Sequence, residues 1–226
     1  MKYEIQDGLC RELVAYVINL KRRPERLASF WDNWRAAKAG EVLPRPHVWQ
    51  AFDGVEHAKE MPTDFLPKET CNRPAGWGCV STHANILRCM AGLSSPGDPM
   101  GCDVAIFEDD AHFVPDFVEK ASTYLTSLPD DFDFAYLGGF HVAAPKQIGI
   151  SLGIPVEMHG THGYIVRRNF LVRVASALSK CDNHPDLIIG KLLRESKAKA
   201  FCPIPSLVGQ GGFVSEIVGK LQPKVF

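Results

Sequence analysis

Val104-Ala105-Ile106-Phe107-Glu108-Asp109-Asp110 is an apolar run that ends in three consecutive acids. Val, Ile and Phe suit a buried strand, and Ala111-His112-Phe113-Val114-Pro115 returns to apolar character directly afterwards. Clustered carboxylates at the end of such a strand repel one another and cost free energy unless a cation or hydrogen-bond donors compensate them. Hard carboxylate oxygens suit Mg²⁺ or Mn²⁺, whose shells are often completed by substrate phosphates. Open α/β sheets bind ligands beyond the carboxyl ends of their strands, where these acids stand. An exposed acidic turn without a ligand is the alternative, and the apolar sequence on both sides weighs against it.

Outward from this stretch, strand-like and helix-like segments alternate. Ala15-Tyr16-Val17-Ile18-Asn19-Leu20 reads as a first buried strand. Pro24 suits a first helical turn, and Leu27, Phe30, Trp31 and Trp34 follow at helical spacing as one core face. Residues 40–78 are rich in Pro and Gly and read as an irregular loop region that includes the turn signal Ala51-Phe52-Asp53-Gly54. Ser81 then caps a helix carrying Ile86, Leu87, Met90 and Leu93. Pro115 and Asp116 open a helix with Phe117, Val118, Ala121, Leu125 and Leu128 inward. Phe134-Ala135-Tyr136-Leu137, closed by Gly138-Gly139, and Gly163-Tyr164-Ile165-Val166 read as further strands. Helices follow around 170–178 and 187–193, and a short strand around Ala200-Phe201-Cys202 precedes Gly209-Gln210-Gly211-Gly212. The alternation predicts an α/β domain over residues 1–226 with a mostly parallel central sheet flanked by helices.

With 25 Lys and Arg against 26 Asp and Glu, the net charge is −1. A general nucleic-acid binder is usually basic overall, so nucleic acid is not the expected partner. Two local basic clusters, Lys21-Arg22-Arg23 with Arg26 and Arg167-Arg168 with Arg173, are candidates for phosphate or for peripheral contact with an anionic membrane surface; a solvated helix entrance explains either equally well. The start of the chain has no signal-like character, and no apolar run approaches the roughly 20 residues needed to span a bilayer. Seven cysteines, an odd number without framework spacing, fit reduced thiols in a cytoplasmic protein.

Several blocks together resemble glycosyltransferase family 25, which includes bacterial lipooligosaccharide galactosyltransferases and is related to collagen galactosyltransferases. The blocks are Tyr16-Val17-Ile18-Asn19-Leu20-Lys21-Arg22-Arg23-Pro24-Glu25-Arg26, Ala51-Phe52-Asp53-Gly54, Gly76-Trp77-Gly78-Cys79-Val80-Ser81-Thr82-His83, Ala105-Ile106-Phe107-Glu108-Asp109-Asp110-Ala111, Thr161-His162-Gly163-Tyr164, Pro185-Asp186, and Pro205-Ser206-Leu207-Val208-Gly209-Gln210 with Ser215. They span about residues 15–217 in the family's order. Thr82 departs from the pattern, standing where the family has Ser before the His. The resemblance implies a GT-A fold, a nucleotide-sugar donor (most often UDP-galactose), Mn²⁺ and inversion at the anomeric carbon. The acceptor it implies is a glycan or lipid-linked glycan at the inner membrane surface.

Sugar transfer needs stabilisation of a leaving diphosphate, which a divalent cation supplies, and a carboxylate to take the acceptor's proton. Asp110 is the expected metal ligand. Glu108 shares its side of an extended segment and is expected to support the metal or bind the ribose. Asp109 points away in that picture, toward donors or the sheet, and clustering raises the carboxylate pKa values in the metal-free chain. Asp186 is the candidate base, with a first-turn carboxylate stabilising a helix N-terminus as the alternative. Asn19, Arg26, Asp53, Thr82, His83, Asp109, Gln210 and Ser215 are expected around the donor; a surface salt bridge is the alternative for Arg26. His141, His159 and His162 are unranked further ligands. A non-catalytic nucleotide-sugar-binding protein, a metal-dependent phosphohydrolase and a structural zinc module on Cys71, Cys79, His83 and Cys89 are the other readings, the last weak because only Cys79 to His83 nears zinc spacing.

Overall fold

The structure is a computed structural model that describes residues 2–4, 10–63, 65, 73–92, 102–213 and 217. Its strands are β1 (Lys2–Glu4), β2 (Cys10–Asn19), β3 (His47–Gln50), β4 (Asp103–Glu108), β5 (Ala111–Phe113), β6 (Phe134–Ala143), β7 (Lys146–Gln147), β8 (Leu152–Ile154), β9 (Glu157–Val166), β10 (Ala200–Pro203) and β11 (Val208–Gln210). Its helices are α1 (Pro24–Ala36), α2 (Arg73–Met90), α3 (Phe117–Ser127), α4 (Arg168–Leu178) and α5 (Pro185–Glu195).

Strand alternation builds three layers. Leu13, Ala15 and Val17 of β2, Ala105 and Phe107 of β4, and Ile165 of β9 pack with Phe30 and Trp34 of α1 and Phe117 and Tyr124 of α3. Val104, Ile106, Tyr164 and Val166 point to the other face and pack with α2, α4 and α5. A period of two along each strand sends successive side chains to opposite faces, and helices on both faces explain why these strands read as continuous apolar runs.

The sheet is mixed, which corrects the mostly parallel expectation. β3, β2 and β4 run parallel, and so do β6 and β10. β9, however, lies between β4 and β6 and is antiparallel to both. β6 returns to β9 through β7 and β8 with no crossover helix, the element that usually joins parallel neighbours.

Two other boundaries differ from expectation. α2 begins at Arg73, not at Ser81, so Gly76 and Gly78 lie inside a helix. Glycine disfavours a helix interior by about 1 kcal/mol, but here the missing side chains admit a neighbour: a β-carbon on Gly54 would stand 1.9 Å from the Pro74 carbonyl oxygen, and one on Gly78 would stand 2.6 Å from the Gly54 amide nitrogen. Leu93, expected on this helix, lies outside the described residues. β6 likewise continues past Gly138-Gly139 to Ala143. Gly138 is a point of close approach, since a β-carbon there would stand 1.7 Å from the Val208 carbonyl oxygen of β11. The expected irregular region therefore contains β3 and the start of α2.

Candidate active site

β4 ends at Glu108, and the chain turns through Asp109 and Asp110 into β5. β5 pairs antiparallel with β11, with Ala111 opposite Gln210. That register places Gln210 Nε2 as a donor 3.0 Å from Asp110 Oδ2. Arg26, in the first turn of α1, is buried, with Nη2 2.6 Å from Asp109 Oδ1 and 2.8 Å from Asp110 Oδ2. Asn19, at the end of β2, donates from Nδ2 to Asp109 Oδ2 at 2.7 Å and to the Arg23 carbonyl at 3.0 Å. Both amide hydrogens of Asn19 are thus engaged by the protein. Arg26 is a buried ion-pair partner rather than a surface salt bridge, and it compensates the acid turn from within.

Asp109 turns to the donor Asn19 and shares Arg26 with Asp110. Burial pushes its carboxyl up to about 7, against the pull of Arg26. Glu108 goes the other way. Burial raises it, but His162 and His83 together hold it well below the usual carboxylate range. The expected rise of clustered carboxylates therefore applies to Asp109 and is reversed at Glu108.

Glu108 reaches toward β9 and α2. Thr161 donates its hydroxyl to Glu108 Oε1. His83 Nε2 stands 3.4 Å from the same oxygen, and His162 Nδ1 stands 4.0 Å from Oε2. His83 Nδ1 is 2.7 Å from the Tyr164 hydroxyl. Both pairs at Glu108 are within ion-pair range but lack hydrogen-bond geometry, so His83 Nε2, both ring nitrogens of His162 and Asp110 Oδ1 are buried without hydrogen-bond partners. Such groups are costly to leave unmet. Glu108, Asp110 and His162 offer donor atoms within 4.8 Å of one another. Two carboxylates and an imidazole are a donor set that fits Mn²⁺.

Of the three unranked histidines, only His162 joins this group among the described residues. His159 is half exposed beside Glu157, and burial lowers His141, which lies on β6.

Two clefts meet at these residues. The first, about 740 Å³ and open to solvent, is lined by Arg22, Phe52, Asp53, Thr82 and the acid turn. Phe140, His159, His162, His184 and Asp186 line the second. Cys79, Glu108 and Gln210 belong to both.

Thr82 positions the first cleft's wall. Its hydroxyl accepts from the Phe52 amide at 2.9 Å and donates to the Gly78 carbonyl at 2.7 Å, tying the 51–54 turn to α2. Asp53 pairs with Arg22 and accepts from the Val55 amide, closing that turn. Asp186, in the first turn of α5, accepts the Gly160 amide on Oδ2 at 2.8 Å and the Leu187 amide on Oδ1 at 2.9 Å. It therefore braces β9 while facing the second cleft. Ser215 and Cys71 lie outside the described residues, and Cys89 is exposed, so the four-residue zinc module is not assembled among the described residues. In the first basic cluster, Arg22, Arg23 and Arg26 each meet an acid of this chain.

No protein-family model matches the chain, and no curated protein does. Among solved structures, it is similar to a mutant of Drosophila β-1,4-galactosyltransferase 7 in complex with manganese, UDP-Gal and xylobiose, at 12% identity and a TM-score of 0.42 over 85% of this chain and 65% of that one. It is also similar to mouse xyloside xylosyltransferase 1 in its apo form, at 10% identity and a TM-score of 0.36 over 84% of this chain and 77% of that one. Likenesses this distant leave the chemistry to be read from this chain's own residues. No helix among the described residues is long and apolar enough to cross a membrane.

Proposed function

We propose that the chain is a divalent-cation-dependent, inverting glycosyltransferase of the GT-A kind. It moves a hexose, galactose in the first instance, from a UDP-sugar to a glycan or lipid-linked glycan acceptor. The observation that carries this reading is the convergence of Glu108, Asp110 and His162 where two clefts meet, with Asp110 Oδ1 buried and unpartnered. Asp110, Glu108 and His162 would hold the cation. Bound Mn²⁺ or Mg²⁺ supplies Lewis-acid stabilisation to a leaving diphosphate.

The remaining roles follow from placement. The 51–54 turn, Thr82 and His83 line the first cleft on the donor side. Gln210 orients Asp110. Asp186 stands in the second cleft, on the acceptor side, where a carboxylate accepts the proton of the attacking hydroxyl. Both of its oxygens hold one backbone donor each, and a carboxylate has further lone pairs for that proton. The two-cleft arrangement favours a two-substrate transfer over hydrolysis of a single phosphoester.

A thermal-shift panel of UDP-sugars with and without Mn²⁺ tests the reading. A ligand at about 100 times its Kd stabilises by roughly 2.7 kcal/mol, and the shift is expected only when sugar nucleotide and Mn²⁺ are both present. No shift with any UDP-sugar and Mn²⁺ would sink the donor assignment.

A further inference from the structure

We infer that Cys79, His83 and Glu108 form a second cation site, softer than the acid turn and suited to Zn²⁺. Their donor atoms, a thiol sulfur, an imidazole nitrogen and a carboxylate oxygen, lie within 4.8 Å of one another. Cys79 and His83 stand four residues apart on α2, so one helical turn presents both to the same side. Glu108 meets them from the end of β4.

The imidazole is set for this role. His83 is 1% exposed, and its ring stacks on Tyr164, whose hydroxyl engages Nδ1 at 2.7 Å. The other nitrogen, Nε2, is buried without a hydrogen-bond partner and faces Glu108 Oε1 at 3.4 Å. A histidine held through one ring nitrogen and open at the other is the usual state of a metal ligand. Cys79 lines both clefts, which gives a cation a way in.

Thiolate and imidazole ligands select Zn²⁺, whereas Mn²⁺ and Mg²⁺ prefer oxygen. Three protein ligands leave a fourth tetrahedral position open for water or a substrate atom. The two sites share one side chain. Oε1 of Glu108 faces His83, and Oε2 faces His162, so the carboxylate has one oxygen for each. Zn²⁺ at Cys79 therefore acts on the Mn²⁺ site through Glu108.

The test uses the full chain with Co²⁺ as a spectroscopic stand-in for Zn²⁺, because cobalt bound to a thiolate absorbs in the near ultraviolet by charge transfer. Wild-type protein is expected to show that band and to lose it when Zn²⁺ displaces the cobalt. Cys79→Ser is expected to lack the band and to bind Zn²⁺ at least about tenfold more weakly. Asp110→Ala is expected to keep the band while losing Mn²⁺ binding, so the two sites fail separately. Alkylation mapping of the wild type needs no variant: Zn²⁺ should protect Cys79 and leave the exposed Cys89 reactive. No band in the wild type, a band that survives in Cys79→Ser or vanishes in Asp110→Ala, or equal alkylation of Cys79 with and without Zn²⁺ overturns the site.

Discussion

Arg26 Nη2 lies 2.8 Å from Asp110 Oδ2, and the contact leaves Asp110 Oδ1 as the oxygen without a partner. Arg26, Asp109 and Asp110 are only 7%, 7% and 5% exposed. A buried cation therefore compensates two buried acids in the metal-free protein. Removing one partner of such a group leaves charge uncompensated in low dielectric, at a cost of about 3–5 kcal/mol. Arg26→Ala is expected to lose that much stability in urea melts without metal. Mn²⁺ should restore part of the loss and should stabilise this variant more than the wild type, because it meets a more negative turn. Equal stabilisation of both proteins would place the Mn²⁺ elsewhere.

Gly78→Ala separates helix propensity from packing. Alanine gains about 1 kcal/mol over glycine inside a helix. Its β-carbon, however, would stand 2.6 Å from the Gly54 nitrogen and 2.7 Å from the Phe52 carbonyl oxygen. Both are backbone atoms and cannot swing aside, and overpacking of this kind costs about 1–3 kcal/mol. Packing is expected to win. The Tm should fall, at about 2–4 °C per kcal/mol for a chain of this size, and UDP affinity should fall with it, since the displaced 51–54 turn lines the first cleft. A Tm that rises would show that the turn yields to the helix.

These glycines also mark where the sequence stops being legible. α1 could be read because Pro24 and the Leu27, Phe30, Trp31, Trp34 spacing are local signals. The first turns of α2 could not, because Gly76 and Gly78 are helical only through tertiary contacts with His184 and with the Gly54 turn. Gly138 looked like a strand end for the same reason, its purpose being the approach of Val208. The polarity of β9 is not written in its own apolar pattern; it depends on how the chain returns from β6. At the site, the acid turn stood out from its charge alone. His162 did not stand out from His141 and His159, since what distinguishes it is the register of β9 on β4, with Gly163 opposite Phe107. The pairing of Arg26 with the acid turn could not be read, because Asp109 and Asp110 are distant from it in sequence.

His184 gives a pH signature away from the acid turn. Burial lowers its pKa, and the nearby Asp186 charge only partly opposes this. A base with a depressed folded pKa binds fewer protons folded than unfolded, so its contribution to stability is intact above the unfolded value, about 6.5. That contribution falls away as pH drops through the unfolded value toward the folded one. The metal-free protein is expected to lose stability through this window, and His184→Asn should flatten that part of the curve in urea melts from neutral to mildly acidic pH. An unchanged slope would mean that the imidazole protonates without penalty in the fold.

Asp186→Asn tests the proton acceptor against the brace. The amide oxygen of asparagine can still accept the Gly160 amide, so the β9 contact at 2.8 Å has a replacement, while the exposed Leu187 amide, which loses its carboxylate partner, turns to water. What the variant lacks is a basic oxygen in the second cleft. General-base catalysis contributes about 10²–10⁴ in rate. Transfer from a UDP-hexose should therefore fall by that factor in kcat, with Mn²⁺-dependent UDP binding and Tm close to wild type. A matching loss of donor binding and stability would assign Asp186 to holding Gly160 alone. Normal turnover would move the base to another group in that cleft, where His159 is the half-exposed candidate.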